Sequence, residues 1–176
     1  KGGFIVKKPP VGGNRDEMQR EGIECYKTLV RGLLDLTDNY EGAVVIDDYA
    51  HHPTEVAATL QAARQTFPKG RILAIFQPHL FSRTRDLAAD FGRALMEADE
   101  ALVTAIYASR EQPIAGVSGE AIVTAARASG HRQVSYVPDR RDLPEMLAAR
   151  VAAGKLGPGD LVLTMGAGDI YQLGHA

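Results

Sequence analysis

Five short, mainly apolar runs recur along this chain: Ala43–Ile46, Ile72–Phe76, Ala101–Ile106, Val134–Val137 and Leu161–Met165. A strand with one wet face alternates polar and apolar residues, whereas an unbroken apolar strand must be covered on both faces. The stretches between the runs have helical periodicity. Val56, Leu60, Ala63 and Phe67 share one face of the first helix, and Leu87, Phe91 and Leu95 one face of the second. Ile122, Ala125 and Ala126 mark a third helix behind a Ser118 cap. Leu143, Leu147 and Val151 mark a fourth, opened by a capping-box variant, Asp142-Leu143-Pro144-Glu145, and closed by Gly154. Strands alternating with helices build βαβ units, so the chain is predicted to be α/β: a Rossmann-like three-layer sandwich with a mainly parallel sheet.

In such a sheet ligands bind outside the carboxyl ends of the strands. Four loops fall there. The first, Asp47-Asp48-Tyr49-Ala50-His51-His52-Pro53, packs two acids, a tyrosine and two imidazoles between a strand and a helix that opens on Pro53, with His52 as its expected cap. Its plain reading is acids capping amides; its functional reading is an acid on a sugar hydroxyl pair and an imidazole on a phosphate. The second, Phe76 to Arg85, carries His79, Arg83 and Arg85, with Ser82 or Thr84 to cap a helix whose N-terminus favours anions. The third, Tyr107 to Gly119, exceeds the usual ~2–6 residues of a βα connection. The fourth, Gly166-Ala167-Gly168-Asp169, lets a backbone or phosphate approach closely, but fails as a dinucleotide fingerprint because Tyr171 stands at the third glycine position.

Composition excludes other classes. A net charge of -2 provides no basic field for nucleic acid. The single Cys25 excludes an intrachain disulfide and a thiolate metal cage. No apolar run approaches the ~20 residues of a membrane span, and no signal peptide is visible. No metal site is expected: His51 and His52 are adjacent rather than at helical spacing. There is no Walker A loop. Residues 1 to about 40 read differently, with turn chemistry at Pro9-Pro10 and an expected short helix through Met18, Ile23, Tyr26, Leu29 and Val30. The chain does not begin with Met, and is expected to be a fragment or a processed product.

Five segments in order carry a family resemblance: DDYAHHPTE (Asp47–Glu55), FQPHLFSRT (Phe76–Thr84), SREQPIAGVSG (Ser109–Gly119), YVPD (Tyr136–Asp139) and LTMGAGDI (Leu163–Ile170). Together they resemble the C-terminal domain of the Mur ligase family, in its alanine-adding branch. The resemblance covers residues 41–176 as that domain and leaves 1–40 as an extension or a remnant of a central domain. It implies a bacterial, cytoplasmic, ATP- and Mg2+-dependent ligase joining L-alanine to UDP-N-acetylmuramate through an acyl phosphate. Mg2+ and the phosphate-binding loop would belong to the central domain, and the UDP-sugar to the N-terminal one. Carried over by position, Asp48 would bind the adenosine ribose and Tyr49 would lie beside the nucleotide. His51, the catalytic candidate, would face the reacting phosphate or the muramoyl carboxylate. His79 and Arg83 would hold the incoming alanine, Arg83 through its carboxylate. Leu80 departs from the arginine that many relatives place after the histidine, which puts more weight on Arg83. Two rival readings are a non-catalytic nucleotide- or protein-binding module and a nicotinamide-dependent oxidoreductase domain.

Overall fold

The computed structural model describes residues 39–175. The expectations for the helix at 18–30 and for Cys25 lie outside that range. A six-stranded sheet runs in the order β1-β2-β6-β3-β4-β5, with β1 Asn39–Tyr40, β2 Ala43–Asp48, β3 Ile72–Phe76, β4 Glu100–Thr104, β5 Val134–Val137 and β6 Leu161–Met165. β1 pairs antiparallel with β2, an edge hairpin the apolar pattern does not announce. The other pairs are parallel. The helices are α1 Pro53–Thr66, α2 Phe81–Ala94, α3 Glu120–Ala128 and α4 Leu143–Ala152.

Two boundaries differ from expectation. β2 runs on through Asp47 and Asp48, because Asp47 and Asp48 stay in register with Thr164 and Met165 of β6. β4 stops at Thr104, since beyond it the chain turns away and Ala105 is exposed.

The central strands β3, β4 and β6 are buried on both faces because alternate residues feed two cores. Ile72, Ala74 and Phe76 of β3 pack with Val56 and Leu60 of α1, Phe91 of α2 and Ile122 of α3. Leu73 and Ile75 of the same strand pack on the other face with Leu143 and Leu147 of α4 and with Ile170. Each fully buried aliphatic side chain contributes about 1.5–3 kcal/mol.

Some helix ends are capped as the local sequence suggests and others are not. His52 is the N-cap of α1, and Glu55 accepts from the backbone N–H groups of His51 (3.0 Å) and His52 (3.1 Å). Ser118 acts one position early, its hydroxyl accepting from Glu120 N–H at 3.3 Å. Asp142 is the N-cap of α4 without a side-chain bond, and Asp139 instead caps the preceding turn by accepting from Arg141 N–H at 3.0 Å. Gly154 closes α4 in the left-handed region at φ 63°.

Helices α2 and α3 approach so closely that a Cβ on Gly92 would lie 2.6 Å from the Ala126 amide nitrogen. Backbone cannot yield there as a side-chain tip can. Gly92→Val is therefore expected to destabilise the chain by about 1–3 kcal/mol, read as a lower urea midpoint. An unchanged midpoint would show that the two helices separate freely.

Candidate functional site

Strands β2, β3 and β6 end side by side, and their loops meet. The ladders continue past the strand ends: Gln77 N–H donates to Met165 O at 2.9 Å, and Gly166 N–H to Asp48 O at 3.1 Å. Buried Gln77 then ties the second and fourth loops together. Its Oε1 accepts from Asp169 N–H (3.0 Å) and Ile170 N–H (3.2 Å), and its Nε2 donates to Asp169 Oδ1 (2.9 Å). Arg140 pairs with the same Asp169 at 2.9 Å. Gly168 must be a glycine, since a Cβ would sit 2.3 Å from Gln77 Oε1 and 2.7 Å from the Tyr107 ring.

On this floor the structure brings Tyr49, His51, His79 and Arg83 together. Tyr49 is 69% exposed at the lip, its ring edge-on to His51 with centroids 5.1 Å apart. His51 Nδ1 lies 3.0 Å from the Tyr49 carbonyl oxygen, which can only accept, so Nδ1 carries the proton and Nε2 is the nitrogen left for a ligand. The His79 ring lies between His51, 6.0 Å away and edge-on, and Tyr107, 5.9 Å away and stacked. Its buried Nδ1 has no hydrogen-bond partner among the described residues. Burial, then the charge of Arg83 and the neighbouring His51, hold its pKa below the ordinary imidazole value, so His79 is neutral at neutral pH. Arg83 stands in the first turn of α2, half-buried, and donates to the His51 carbonyl at 3.3 Å. Among the described residues no carboxylate lies within ion-pair distance of it.

Asp48 sits below this group and turns inward. Oδ1 accepts from Ala50 N–H at 2.7 Å and Oδ2 from the Thr59 hydroxyl at 3.3 Å. The plain reading of capping acids thus holds for this conformation of Asp48. Asp47 accepts from the Thr164 hydroxyl across the sheet. His52 faces away, with Nδ1 2.7 Å from the Thr54 hydroxyl.

Neither Ser82 nor Thr84 caps α2. Thr84 donates back to Leu80 O at 2.9 Å, and the helix N-terminus expected to favour a ligand anion is met by Glu111 of the third loop. Tyr107, Gln77 and Glu111 are site neighbours that residue chemistry did not single out. The unusual length of the third loop was the one signal that could have found Tyr107 and Glu111.

Among the described residues no group of three or more His, Cys, Asp or Glu is placed to hold a metal ion, and no helix is long and apolar enough to cross a membrane.

Burial pushes the Asp48 carboxyl up, the hydrogen bonds from Ala50 and Thr59 offset part of the rise, and the Glu55 charge adds to it. A raised folded pKa means that folding favours the protonated form. The stability it contributes is fully present below the unfolded value of 3.8 and is lost as pH rises through the folded one. Asp48→Asn is therefore expected to unfold at a higher temperature than the parent at pH 7, with the gain shrinking towards pH 3. A variant less stable at pH 7 would contradict this.

Comparison with known proteins agrees with the site's sequence segments. The model of the Mur ligase glutamate ligase domain matches residues 34–168. A model of the bacterial NAD-glutamate dehydrogenase catalytic domain matches residues 1–59, mostly outside the described residues. The chain is 56% identical over 154 residues to UDP-N-acetylmuramate–L-alanine ligase of Cutibacterium acnes, covering 87% of this chain and 31% of that protein. It is 44% identical over 160 residues to the enzyme of that name from Salinibacter ruber, covering 91% of this chain and 32% of that protein. The chain thus spans about a third of the length of these curated relatives. The crystal structure of UDP-N-acetylmuramate-alanine ligase from Thermotoga maritima superposes with a TM-score of 0.60 at 29% identity, over 80% of this chain and 27% of that one. A murein peptide ligase from Psychrobacter arcticus shares the fold, with a TM-score of 0.61 at 22% identity over 78% of this chain and 28% of that one. With a family model matched across most of its length, this chain belongs to the Mur ligase family.

Proposed function

We propose that residues 41–176 act as the amino-acid- and nucleotide-contacting domain of a UDP-N-acetylmuramate–L-alanine ligase, with residues 1–40 an extension or a remnant of the preceding central domain. One observation carries this reading: Arg83, a fork-shaped cation, is half-buried at the strand ends with no carboxylate partner among the described residues. A guanidinium placed so is matched to a small anion, and an amino-acid carboxylate fits its two parallel donors.

In this reading Arg83 grips the carboxylate of L-alanine. The neutral His79 ring, backed by Tyr107, lines the place of the amine without adding a charge that would repel an ammonium group. Fixing the carboxylate directs the amine towards the acyl phosphate of UDP-N-acetylmuramate, converting an encounter into a positioned attack. His51 meets the phosphate through Nε2. Tyr49 offers an exposed ring to the adenine of ATP, and Asp48 would bind the ribose after turning out from Ala50 and Thr59. ATP supplies the phosphoryl group that activates the carboxylate. The described residues do not fit Mg2+, since no three of their acids and imidazoles cluster as a cation cage. The ion, the phosphate cradle and the UDP-sugar site are assigned to the central and N-terminal domains, and the whole enzyme to the bacterial cytoplasm. A non-catalytic module is the weaker reading, because identity to named ligases reaches 56%.

Two outcomes are expected. In the full-length ligase, Arg83→Ala should raise KM for L-alanine by about 2–5 kcal/mol in binding terms, roughly thirtyfold or more, while KM for ATP moves little. Equal effects on both substrates would sink the assignment of Arg83. The chain alone should release no phosphate in response to L-alanine, and robust turnover without added domains would refute the division of labour.

A further inference from the structure

Beyond Tyr107 the third loop has no role in the reading above, yet it is fastened to the site at two points. Leu80 N–H donates to Tyr107 O at 3.0 Å, and Tyr107 N–H to Pro78 O at 2.8 Å, which joins the loop to the backbone on either side of His79. Further along, Glu111 reaches the start of α2. Its Oε2 accepts from Ser82 N–H at 3.0 Å and its Oε1 from the Ser82 hydroxyl at 2.5 Å. These bonds hold the Glu111 carboxyl below its usual range, with Ser82 as the main cause, so it stays ionised at neutral pH.

Helix α2 needs this help. Its N-cap is Leu80, a side chain that cannot accept a hydrogen bond, held at φ 73° in the left-handed region where a side chain is strained. Arg83 follows Ser82 directly, and among the described residues its guanidinium has one long hydrogen bond, to the His51 carbonyl. A long side chain tethered so lightly takes its aim from the backbone turn it stands on.

We propose that Glu111 is the positioning residue for Arg83: by bonding the amide and hydroxyl of Ser82 it fixes the first turn of α2, and so the direction in which the guanidinium meets an incoming carboxylate. Both carboxylate oxygens are engaged by Ser82, so Glu111 acts through the helix and not on the ligand. The proposal rests on the reading of Arg83 as the carboxylate-binding residue. It gives the third loop a function as a specificity strap, connecting β4 to the amino-acid site.

The test separates geometry from charge. Glu111→Ala removes both bonds; Glu111→Gln can keep both, accepting from the amide and donating to the hydroxyl, while losing the charge. In the full-length ligase, Glu111→Ala should raise KM for L-alanine about tenfold and leave KM for ATP within about twofold, and Glu111→Gln should restore most of the loss. In the 176-residue chain, the NMR order parameter of the Arg83 Nε–H bond should fall in Glu111→Ala and recover in Glu111→Gln. A glutamine variant as impaired as the alanine one, a parallel rise in both KM values, or an Arg83 order parameter indifferent to Glu111→Ala would each overturn the proposal. If the wild-type ligase makes no product from L-alanine, the functional reading falls on its own. The Arg83 order parameter then decides whether Glu111 sets that side chain.

Discussion

A parallel sheet whose strands are apolar on both faces has no side it can show to water. Here α1, α2 and α3 cover one face and α4 with the Ile170 turn covers the other. The consequence reaches the site. With both faces occupied, polar chemistry has room only at the strand ends, where side chains can be half-buried and still reach solvent. Tyr49, His51, His79 and Arg83 lie in that zone, and the core beneath them is closed at Phe76 and Met165, both fully buried.

The strand ends divide their polar groups into two kinds. Gln77, Asp169 and Arg140 are satisfied by one another and hold the loops still. Arg83 and the Nδ1 atom of His79 are not satisfied in this way. A buried polar nitrogen left without a partner costs free energy, so the unpartnered Nδ1 of His79 beside a well-bonded scaffold supports the proposed ligand site.

Much of the fold was legible in the sequence because apolar periodicity reports burial directly, and β3, β5 and β6 fall where their apolar runs do. The end of β4 was not, since Ile106 is apolar yet lies past the last ladder pair, at Thr104 and Val137. The hairpin at β1 has only two residues and no apolar run to announce it. The convergence of the first two loops was readable from the βα pattern, but the partner of α2 was not. Ser82 and Thr84 were the local candidates for its cap, whereas the group that meets it comes from 29 residues away. Local sequence can say that a helix end needs an acceptor, and it cannot say which distant loop will provide one.

The position of β6 carries a consequence for how the molecule is made. Among the described residues it is the last strand in sequence, yet it lies between β2 and β3, pairing Val44 with Leu161 across more than a hundred intervening residues. A chain emerging from the ribosome N-terminus first would hold β2 and β3 as unpaired edges facing an empty slot until β6 arrives. The slot would close only once β6 has been made, so until then a nascent chain is most exposed to wrong strand partners at the place where the strand-end loops will later meet.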